Sequence, residues 1–218
     1  MKVNKFTIIS RFFLNFSEIS SVLITENIST FKTWLYNLLD DISLPCLVLK
    51  NSDIVLNNTI EDFKDIRFSH NLENSDRRVV YFGESPYCYG TTHHPPQLIP
   101  KGSLVEDINN KIAKIFPFLT LNSVLINHYP NQKSYMPLHS DDEPCIQDRS
   151  WILIISIGAS RVLYLKDSKS KKFNVPITHG DIVAMSTQSQ SKIKHKILPC
   201  PYFQKNPARI SLTFRHII

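Results

Sequence analysis

The feature that most limits the possible fold is an alternation of apolar and polar residues that runs from Asn122 to the C-terminus. Successive side chains of a β-strand point to opposite faces, so a period of two predicts strands with one buried face. Six strands are predicted, at Ser123–Tyr129, Trp151–Gly158, Val162–Leu165, Asp181–Met185, Lys192–Leu198 and Ala208–Arg215. The charged segment from Lys166 to Lys172 is predicted to be a solvated hairpin loop, which either touches phosphate or is a plain surface turn.

The first half of the chain adds two predicted helices. Apolar residues follow helical spacing over residues 29–39, with Ser29 or Thr30 as the N-cap. A second helix is predicted to begin at a capping box whose first residue is Ser103 and to end before Pro117. We expect these helices to lie on a sheet.

Composition excludes several classes of protein. With 218 residues, 42% of them hydrophobic, the chain is long and apolar enough for one globular domain. Four widely spaced cysteines without a Cys-x-x-Cys pair argue against zinc knuckles and disulfides, so we expect reduced thiols and an intracellular, cytoplasmic protein. No apolar run is long enough for a membrane span, and Arg11 interrupts the N-terminal apolar stretch, so neither a membrane nor a signal peptide is expected. The net charge of +6 suits either a polyanionic partner or a soluble protein that is simply basic.

A possible metal site lies in the segment Leu138–Glu143, which carries His139 and Asp141 two residues apart. On an extended chain both side chains point to one side, so both can reach one metal ion. In the predicted strand around His195, three lysines share one face, which turns His195 inward with its apolar neighbours. A lone inward histidine is usually a core residue. Here it completes a set of two histidines and one carboxylate, which leaves metal positions open for a co-substrate and O₂.

The last predicted strand places four polar residues on one face, Arg209, Ser211, Thr213 and Arg215. Two arginines on an inward face are costly to bury unpaired, so they predict an anionic partner. A guanidinium holds a carboxylate with two hydrogen bonds, and a dicarboxylate co-substrate fits this pattern. Asn127 and Tyr129 share a face and can donate to the same anion. Internal salt bridges with Asp141 and Asp142 are the alternative.

Residues 76–90 combine basic and aromatic side chains, namely Arg77, Arg78, Tyr87 and Tyr89. The pattern predicts a strand that enters a turn. Exposed aromatic rings beside basic groups stack nucleobases and hold phosphates, so these four residues are predicted substrate contacts. The alternative, equally open, is that the two tyrosines cover the edge of the core.

Taken in order, these motifs resemble the AlkB family of Fe(II)- and 2-oxoglutarate-dependent dioxygenases. The resemblance is carried by Asn127-x-Tyr129, His139-x-Asp141-Asp142-Glu143, His195 and Arg209-x-x-x-Thr213-Phe214-Arg215. It is dense over residues 122–218, looser over 76–121 and weak before that. It implies a mainly β fold with flanking helices, in which a double-stranded β-helix, or jelly-roll core, has two helices bracing one sheet.

The resemblance also implies roles for matching residues. Three residues would hold Fe(II) and make up the catalytic centre, namely His139, Asp141 and His195. Six would bind 2-oxoglutarate, namely Asn127, Tyr129, Arg209, Ser211, Thr213 and Arg215. Arg209 would pair with the distal carboxylate, whereas Arg215 would serve the end nearer the metal. Ser211 departs from the asparagine often found there, which implies a changed contact. Six would meet the substrate, namely Asp142, Glu143, Tyr87, Tyr89, Arg77 and Arg78.

The implied reaction is the oxidative demethylation of N-methylated nucleobases with O₂ and 2-oxoglutarate, releasing formaldehyde, succinate and CO₂. The acidic pair Asp142 and Glu143 favours the cationic bases N1-methyladenine and N3-methylcytosine. The sequence has few elements that could hold a duplex, which favours a single-stranded substrate. Of the two nucleic acids, RNA is favoured over DNA. The alternatives are a related dioxygenase that acts on DNA or on a protein side chain, and a non-catalytic RNA-binding module.

We expect one catalytic domain over residues 1–218, either a monomer or a part of a larger polyprotein. Its segments are N-terminal strands with a supporting helix (1–75), a lid-like segment with the second helix (76–121) and the metal and co-substrate core (122–218). The composition, rich in Asn and Lys, and the short lid resemble AlkB domains in the replicases of plant RNA viruses. That resemblance implies the host cytoplasm as the location.

Overall fold

The structure is a computed structural model. It describes residues 22–41, 44–70, 76–89, 92–200 and 205–218. Within these residues the chain forms fourteen β-strands and two α-helices, α1 (Ile28–Asn37) and α2 (Leu104–Ile115). No helix in the described part of the chain is long and apolar enough to cross a membrane.

The strands follow each other along the whole described chain. They are β1 (Leu23–Thr25), β2 (Leu47–Leu49), β3 (Ser69–His70), β4 (Arg78–Gly83), β5 (Tyr87–Tyr89), β6 (Thr92–His94), β7 (Ser123–Tyr129), β8 (Met136–His139), β9 (Trp151–Gly158), β10 (Arg161–Asp167), β11 (Lys172–Ile177), β12 (Ile182–Ser186), β13 (Ile193–Ile197) and β14 (Arg209–Arg215). β1 is the described part of the strands predicted within residues 1–25, and the rest of that prediction lies outside the described residues.

The strands build two main sheets. The larger has the order β1-β2-β12-β9-β14-β7-β4-β3, and the smaller has the order β11-β10-β13-β8. β5 and β6 pair separately as a hairpin. All pairs are antiparallel apart from β1 and β2. Most neighbours in the two sheets are not consecutive along the chain, as the predicted jelly-roll requires.

Two apolar clusters hold the layers together. One buries the helices against the larger sheet, with Phe31 of α1 and Ile108 of α2 packed into the cluster that contains Phe214. The other contains residues of both sheets, such as Val183 and Leu165, so it fills the space between them. Each sheet therefore has one face committed to the interior between the sheets, which is where inward polar side chains meet.

Local signals explain the helix starts. The Ser103 side chain accepts a hydrogen bond from the backbone N–H of Glu106 at 3.2 Å, which confirms the predicted N-cap of α2. The N-cap predicted for α1, Ser29 or Thr30, lies two or three residues after the N-cap in the structure. That N-cap is Asn27, whose side chain accepts from the backbone N–H of Thr30 at 2.9 Å. Asparagine caps as well as serine does.

Candidate functional site

The three predicted metal ligands meet at one end of the smaller sheet. His139 is the last residue of β8 and pairs in register with His195 of β13, so strand pairing itself brings the imidazoles together. Their ring centroids are 4.1 Å apart. Asp141 follows two residues after the strand, with Oδ1 3.4 Å from Nε2 of His139. The ligand atoms of all three lie within 4.8 Å of one another.

Hydrogen bonds and burial leave these side chains in metal-binding forms. Nδ1 of His139 lies 2.8 Å from the carbonyl oxygen of Pro137, which can only accept, so Nδ1 donates to it and Nε2 is the ring nitrogen that faces the other two ligands. Burial, then the nearby His139, lowers the pKa of His195 to about 3, and its Nδ1 is buried without a hydrogen-bond partner. Burial favours a protonated Asp141, but Arg215, 2.7 Å from Oδ2, holds the pKa of that carboxyl well below its usual value. Two imidazoles and one carboxylate form the facial ligand set of non-haem Fe(II).

Gln190 supports the carboxylate ligand from a neighbouring turn. It lies in the short 3-10 turn Thr187–Ser191 that precedes β13, and it is buried. Its Oε1 accepts from the backbone N–H of Asp141 at 3.1 Å, and its Nε2 donates to the carbonyl oxygen of Ser186 at 3.2 Å. The side-chain amide therefore fixes the backbone of one ligand relative to β12.

Replacing Gln190 with leucine is expected to weaken metal binding about 10- to 100-fold, as the loss of an outer-shell partner commonly does. It is also expected to lower the free energy of unfolding by about 1–3 kcal/mol, because the buried N–H of Asp141 loses its acceptor. Titration calorimetry with Mn²⁺ and thermal denaturation measure the two effects. Gln188→Leu is the matched control, since Gln188 bonds Asp148 at the surface. Equal Mn²⁺ affinity in the Gln190 variant and the wild type would contradict the prediction.

The triad opens into a cavity of about 50 Å³ between the sheets. Its polar lining consists of Arg77, Tyr87, Tyr89, Asn127, Tyr129, His139, Asp141, His195, Arg209, Ser211, Thr213 and Arg215. Its apolar lining consists of Leu125, Met136, Ile154, Leu163 and Ile197. Every predicted metal and co-substrate residue is in this wall, whereas Asp142, Glu143 and Arg78 are outside it.

Arg209 is fully buried in the cavity wall and only partly satisfied. Its Nη2 donates to Ser156 Oγ at 2.9 Å, and its Cζ lies 5.2 Å from the ring centre of Tyr129. Its Nε and Nη1 are buried without hydrogen-bond partners. Burial lowers the pKa of Arg209 to about 10, so the guanidinium is still protonated at neutral pH. A buried cation with two unused N–H groups beside a cavity fits a carboxylate group of a small ligand.

Arg215 connects the carboxylate ligand to the β5–β6 hairpin. Its Nη2 donates to Asp141, and its Cζ lies 5.1 Å from the ring centre of Tyr87 on β5. Burial opposes the charge of Arg215, but the carboxylate of Asp141 and then Tyr87 raise its pKa overall. The salt bridge that the sequence left as an alternative is therefore present, and it belongs to the same site.

The structure corrects the expectation of an exposed aromatic surface at Tyr87. This side chain is fully buried in the cavity wall. Tyr89, on the same face of β5, is partly buried, with its ring edge-on to His139 at 5.8 Å. Because side chains alternate between the two faces of a strand, both tyrosines point inward and Cys88 between them is exposed. The ring of Tyr87 is thus buried and not exposed, and a base contact stays a prediction for both tyrosines.

Arg77 and Arg78 do not form one basic patch. Arg77 is 1% exposed and donates from Nη1 to Oδ1 of Asn127. Arg78, the first residue of β4, is exposed. Neighbouring side chains of an extended chain point to opposite sides, so only one of the two can meet solvent. A substrate contact stays a prediction for both residues, in the cavity wall for Arg77 and at the surface for Arg78.

The acidic pair also has unequal surroundings. Asp142 is exposed, whereas Glu143 is half-buried. Burial and then the charge of Asp141 raise the pKa of Glu143 to about 7. At neutral pH the pair therefore carries less negative charge than two free carboxylates. A contact with the base stays a prediction for both residues.

Sequence reasoning missed Ser156 and Gln190, which support Arg209 and Asp141. Ser156 had a recognisable signal, because it is a single polar residue within the apolar strand β9. Gln190 had no such signal, since its role depends on a contact 49 positions away in sequence.

Fold and site together define a class of enzyme. The family model described as the 2OG-Fe(II) oxygenase superfamily matches residues 67–215. The protein belongs to this superfamily, which implies Fe(II) as the metal and 2-oxoglutarate and O₂ as co-substrates. The buried triad and the unpaired guanidinium nitrogens fit those groups. Within the superfamily it is an AlkB-family protein, as its curated relatives indicate.

Those relatives match part of their own length. The alpha-ketoglutarate-dependent dioxygenase alkB homolog 3 of Bos taurus is 29% identical over 158 residues, which are 65% of this chain and 51% of that protein. DNA oxidative demethylase ALKBH2 of Homo sapiens is 30% identical over 155 residues, which are 65% of this chain and 57% of that protein. The chain thus spans about half the length of the curated relatives it matches.

Solved structures confirm the jelly-roll prediction. An oxidoreductase of the 2OG-Fe(II) oxygenase family from Burkholderia pseudomallei aligns with a TM-score of 0.59 and 13% identity, covering 90% of this chain and 95% of that one. The structure of OsALKBH1 aligns with a TM-score of 0.53 and 19% identity, covering 78% of this chain and 97% of that one. These likenesses concern the fold alone. The predicted viral origin stays a prediction.

Proposed function

We propose that this protein is an Fe(II)- and 2-oxoglutarate-dependent demethylase of N-methylated nucleobases in single-stranded nucleic acid, with RNA favoured over DNA. The observation that carries the proposal is the convergence of the His139, Asp141 and His195 cluster with the underpaired Arg209 in one buried cavity. The AlkB-family relatives, one of them named as a DNA oxidative demethylase, support a methylated nucleic acid as the substrate class.

The co-substrate residues divide between the two ends of the cavity. Arg209, with Tyr129 beside its guanidinium, binds the distal carboxylate of 2-oxoglutarate in this proposal. Asn127 serves the end near the metal. Because its amide oxygen already accepts from Arg77, its Nδ2 is the group left to donate to the ligand. Ser211 and Thr213 line the same wall and orient the ligand between these ends.

Bound Fe(II) supplies the oxidation of the N-methyl group by O₂, coupled to conversion of 2-oxoglutarate to succinate and CO₂. The protein residues hold the three metal positions, neutralise the co-substrate and exclude water with buried side chains such as Tyr87. Hydroxylation converts the methyl group to N-hydroxymethyl. The C–N bond then breaks and its electron pair returns to the ring nitrogen, so the methyl carbon leaves as formaldehyde and the hydroxyl proton is released to water.

The proposed bases are N1-methyladenine and N3-methylcytosine, which carry a positive charge. Asp142 is the exposed carboxylate next to the ligand Asp141, and it attracts such a base. An exposed pair at about 4 Å in a dielectric near that of water is worth about 1 kcal/mol. The charge therefore tunes the choice of base without dominating binding.

Asp142→Asn is expected to lower kcat/KM for N1-methyladenine about 5-fold, since about 1 kcal/mol of attraction is lost. The rate on the neutral base N6-methyladenine should change less, which makes the ratio of the two rates the informative quantity. Steady-state formaldehyde release from matched oligomers measures it. An equal fall for the cationic and neutral bases would indicate a structural effect of the substitution and contradict the proposed charge contact.

The direct test supplies the purified protein with Fe(II), 2-oxoglutarate and a methylated substrate, with formaldehyde as the readout. Matched RNA and DNA oligomers carrying N1-methyladenine, N3-methylcytosine or N6-methyladenine are compared with a methylated peptide. We expect formaldehyde with the cationic bases and a higher kcat/KM for RNA. Preference for DNA would transfer the proposal to DNA repair. Turnover with the peptide alone, or RNA binding without turnover, would overturn it.

We also propose that residues 1–218 act as a single catalytic domain. The apolar cluster under the helices contains residues from α1, from α2 and from strands of the C-terminal half, such as Leu35, Ile112 and Leu212. A shared core of this kind supports one folding unit. Two-state thermal unfolding with one midpoint is expected.

A further inference from the structure

The outer face of the smaller sheet carries a concentration of positive charge that the proposed catalytic cycle does not use. Residues 161–200 contain seven lysines, two aspartates and no glutamate. Asp181 is fully buried and paired with Lys50, and Asp167 accepts from the backbone N–H of Lys171 within the β10–β11 turn. Neither carboxylate is therefore engaged with the lysines on the strands of this face.

Three of the lysines form one line across three strands. Lys166 on β10 pairs in register with Lys172 on β11 and with Lys194 on β13. We call these three residues the lysine row. Neighbouring strands are about 4.8 Å apart, so the row is about 10 Å long. Alternate residues of the same strands, such as Leu165 and His195, are buried on the opposite face, which leaves the row to point outward.

The row is unfavourable for the isolated fold. Like charges directly opposite each other on adjacent strands are destabilising, and here two such pairs share Lys166. Beside the row, Lys196 lies 4.6 Å from the ring centre of Tyr164, so an aromatic ring lies next to the cations. Proteins hold single-stranded nucleic acid with two elements, a line of cations along the backbone and aromatic rings for the bases.

The row also ends next to a metal ligand. Lys194 directly precedes His195, whose strand partner is His139 at the end of β8. The line of cations therefore ends on β13, the strand that contributes His195 to the metal site. A polyanion on the row lies against the outer face of β13, and His195 lies on the inner face of the same strand.

We infer that the lysine row binds the phosphate backbone of the nucleic-acid strand whose target base enters the cavity. This inference rests on the proposed function, since it assigns a docking surface to that substrate. It selects a nucleic acid as the partner, because a straight row of cations with an adjacent ring matches phosphates at regular intervals and unpaired bases. The contacts are with phosphate, so the row adds affinity for long strands without choosing their sequence.

Binding of an unmethylated oligonucleotide tests the surface independently of turnover. Fluorescence anisotropy with a strand of about 16 nucleotides, titrated with salt, compares wild type with the variant Lys166→Gln, Lys172→Gln, Lys194→Gln. Each phosphate contact contributes about −0.7 to the slope of log K against log salt, so the variant should reduce the slope by about 2. If the two proteins bind equally at 1 M salt, the variant binds roughly 100-fold more weakly than the wild type at 0.1 M salt.

A charge-matched variant supplies the control. Lys64, Lys101 and Lys114 are exposed and belong to the helical side of the larger sheet, and replacing all three with glutamine changes the net charge equally. We expect this variant to keep nearly the wild-type slope. A slope unchanged in the row variant, or reduced equally in both variants, overturns the inference. Tighter binding of the wild type to phosphatidylserine vesicles than to the oligonucleotide also overturns it.

Turnover connects the surface to the cavity. In the wild type we expect a lower KM for a methylated strand of about 16 nucleotides than for a methylated trinucleotide. The row variant should lose this advantage of length, and the control variant should keep it. If the row variant loses the salt slope but no strand is demethylated by any variant, the proposed function fails, and the row is a nucleic-acid docking surface without a link to demethylation. If the wild type demethylates the strand and the salt slope of the row variant is unchanged, the proposed function stands and the lysine row is not a docking surface.

Discussion

Asp141→Asn is expected to abolish both metal binding and formaldehyde release. The substitution keeps the shape of the side chain but removes the only carboxylate among the three ligands, so the site loses its one negative charge. It also leaves the buried guanidinium of Arg215 without its 2.7 Å ion-pair partner. Breaking a buried pair in this way costs about 3–5 kcal/mol, so the variant is expected to be less stable as well as inactive.

Asp141→Glu separates these two effects. The longer side chain keeps the charge beside Arg215 but displaces the ligand oxygen by one methylene group. We expect Asp141→Glu to recover much of the stability and to bind Mn²⁺ weakly. Calorimetric titration with Mn²⁺, thermal denaturation and formaldehyde release measure the three properties. Equal metal affinity and equal turnover in Asp141→Asn and the wild type would refute the assignment of Asp141 as a ligand.

Arg209→Met should have the second largest effect. The variant removes the cation that we assign to the distal carboxylate of 2-oxoglutarate, and losing one partner of a buried charge pair costs about 2–5 kcal/mol. The KM for 2-oxoglutarate should therefore rise about 30- to 4,000-fold. In the absence of the co-substrate the same change should leave the melting temperature equal or higher, because two buried N–H groups without partners disappear.

Arg161→Met is the matched control for that prediction. Arg161 is also buried, but its Nη1 and Nη2 donate to the backbone carbonyl oxygens of Ser160, Asn131 and Pro207. We expect this variant to be destabilised and to keep its KM for 2-oxoglutarate. A lowered melting temperature with an unchanged KM in Arg209→Met would show that Arg209 is structural, and would contradict its proposed role.

Strand periodicity predicted much of the site, because the two faces of a strand are determined by parity. The predicted bounds of β7 and β9 match the structure, and the predicted inward face of β14 lines the cavity. His195 is inward for the same reason. Where one face is buried, a single-residue shift would expose the apolar residues, so the register of these strands follows from the sequence.

β8 and β11 are among the strands that the sequence did not predict. β11 begins at Lys172, inside the segment predicted as a charged loop, because its polar outer residues obscure the inward Val175 and Ile177. β8 contains Pro137, which usually argues against a strand, but β8 is at the edge of its sheet, where a missing N–H is tolerated. Both cases depend on the position of the strand in the sheet.

Burial of Arg77 and Tyr87 depends on contacts with residues far along the chain, and those cannot be inferred locally. Arg77 is buried because Asn127, 50 positions later, accepts its hydrogen bond. Tyr87 is buried under Arg215, more than a hundred positions later. Composition favoured exposure for both, since a basic residue and a tyrosine in a turn are usually at the surface.

The buried position of Tyr87 restricts the path by which a base can approach the metal. Lifting the β5–β6 hairpin would expose a fully buried aromatic ring, at about 1.5–3 kcal/mol, and remove the ring from Arg215. A cost of this size makes the lifted hairpin a minor conformation of the protein. Entry past the free edge of β8, along which Leu138 is already solvent-exposed, requires no such rearrangement.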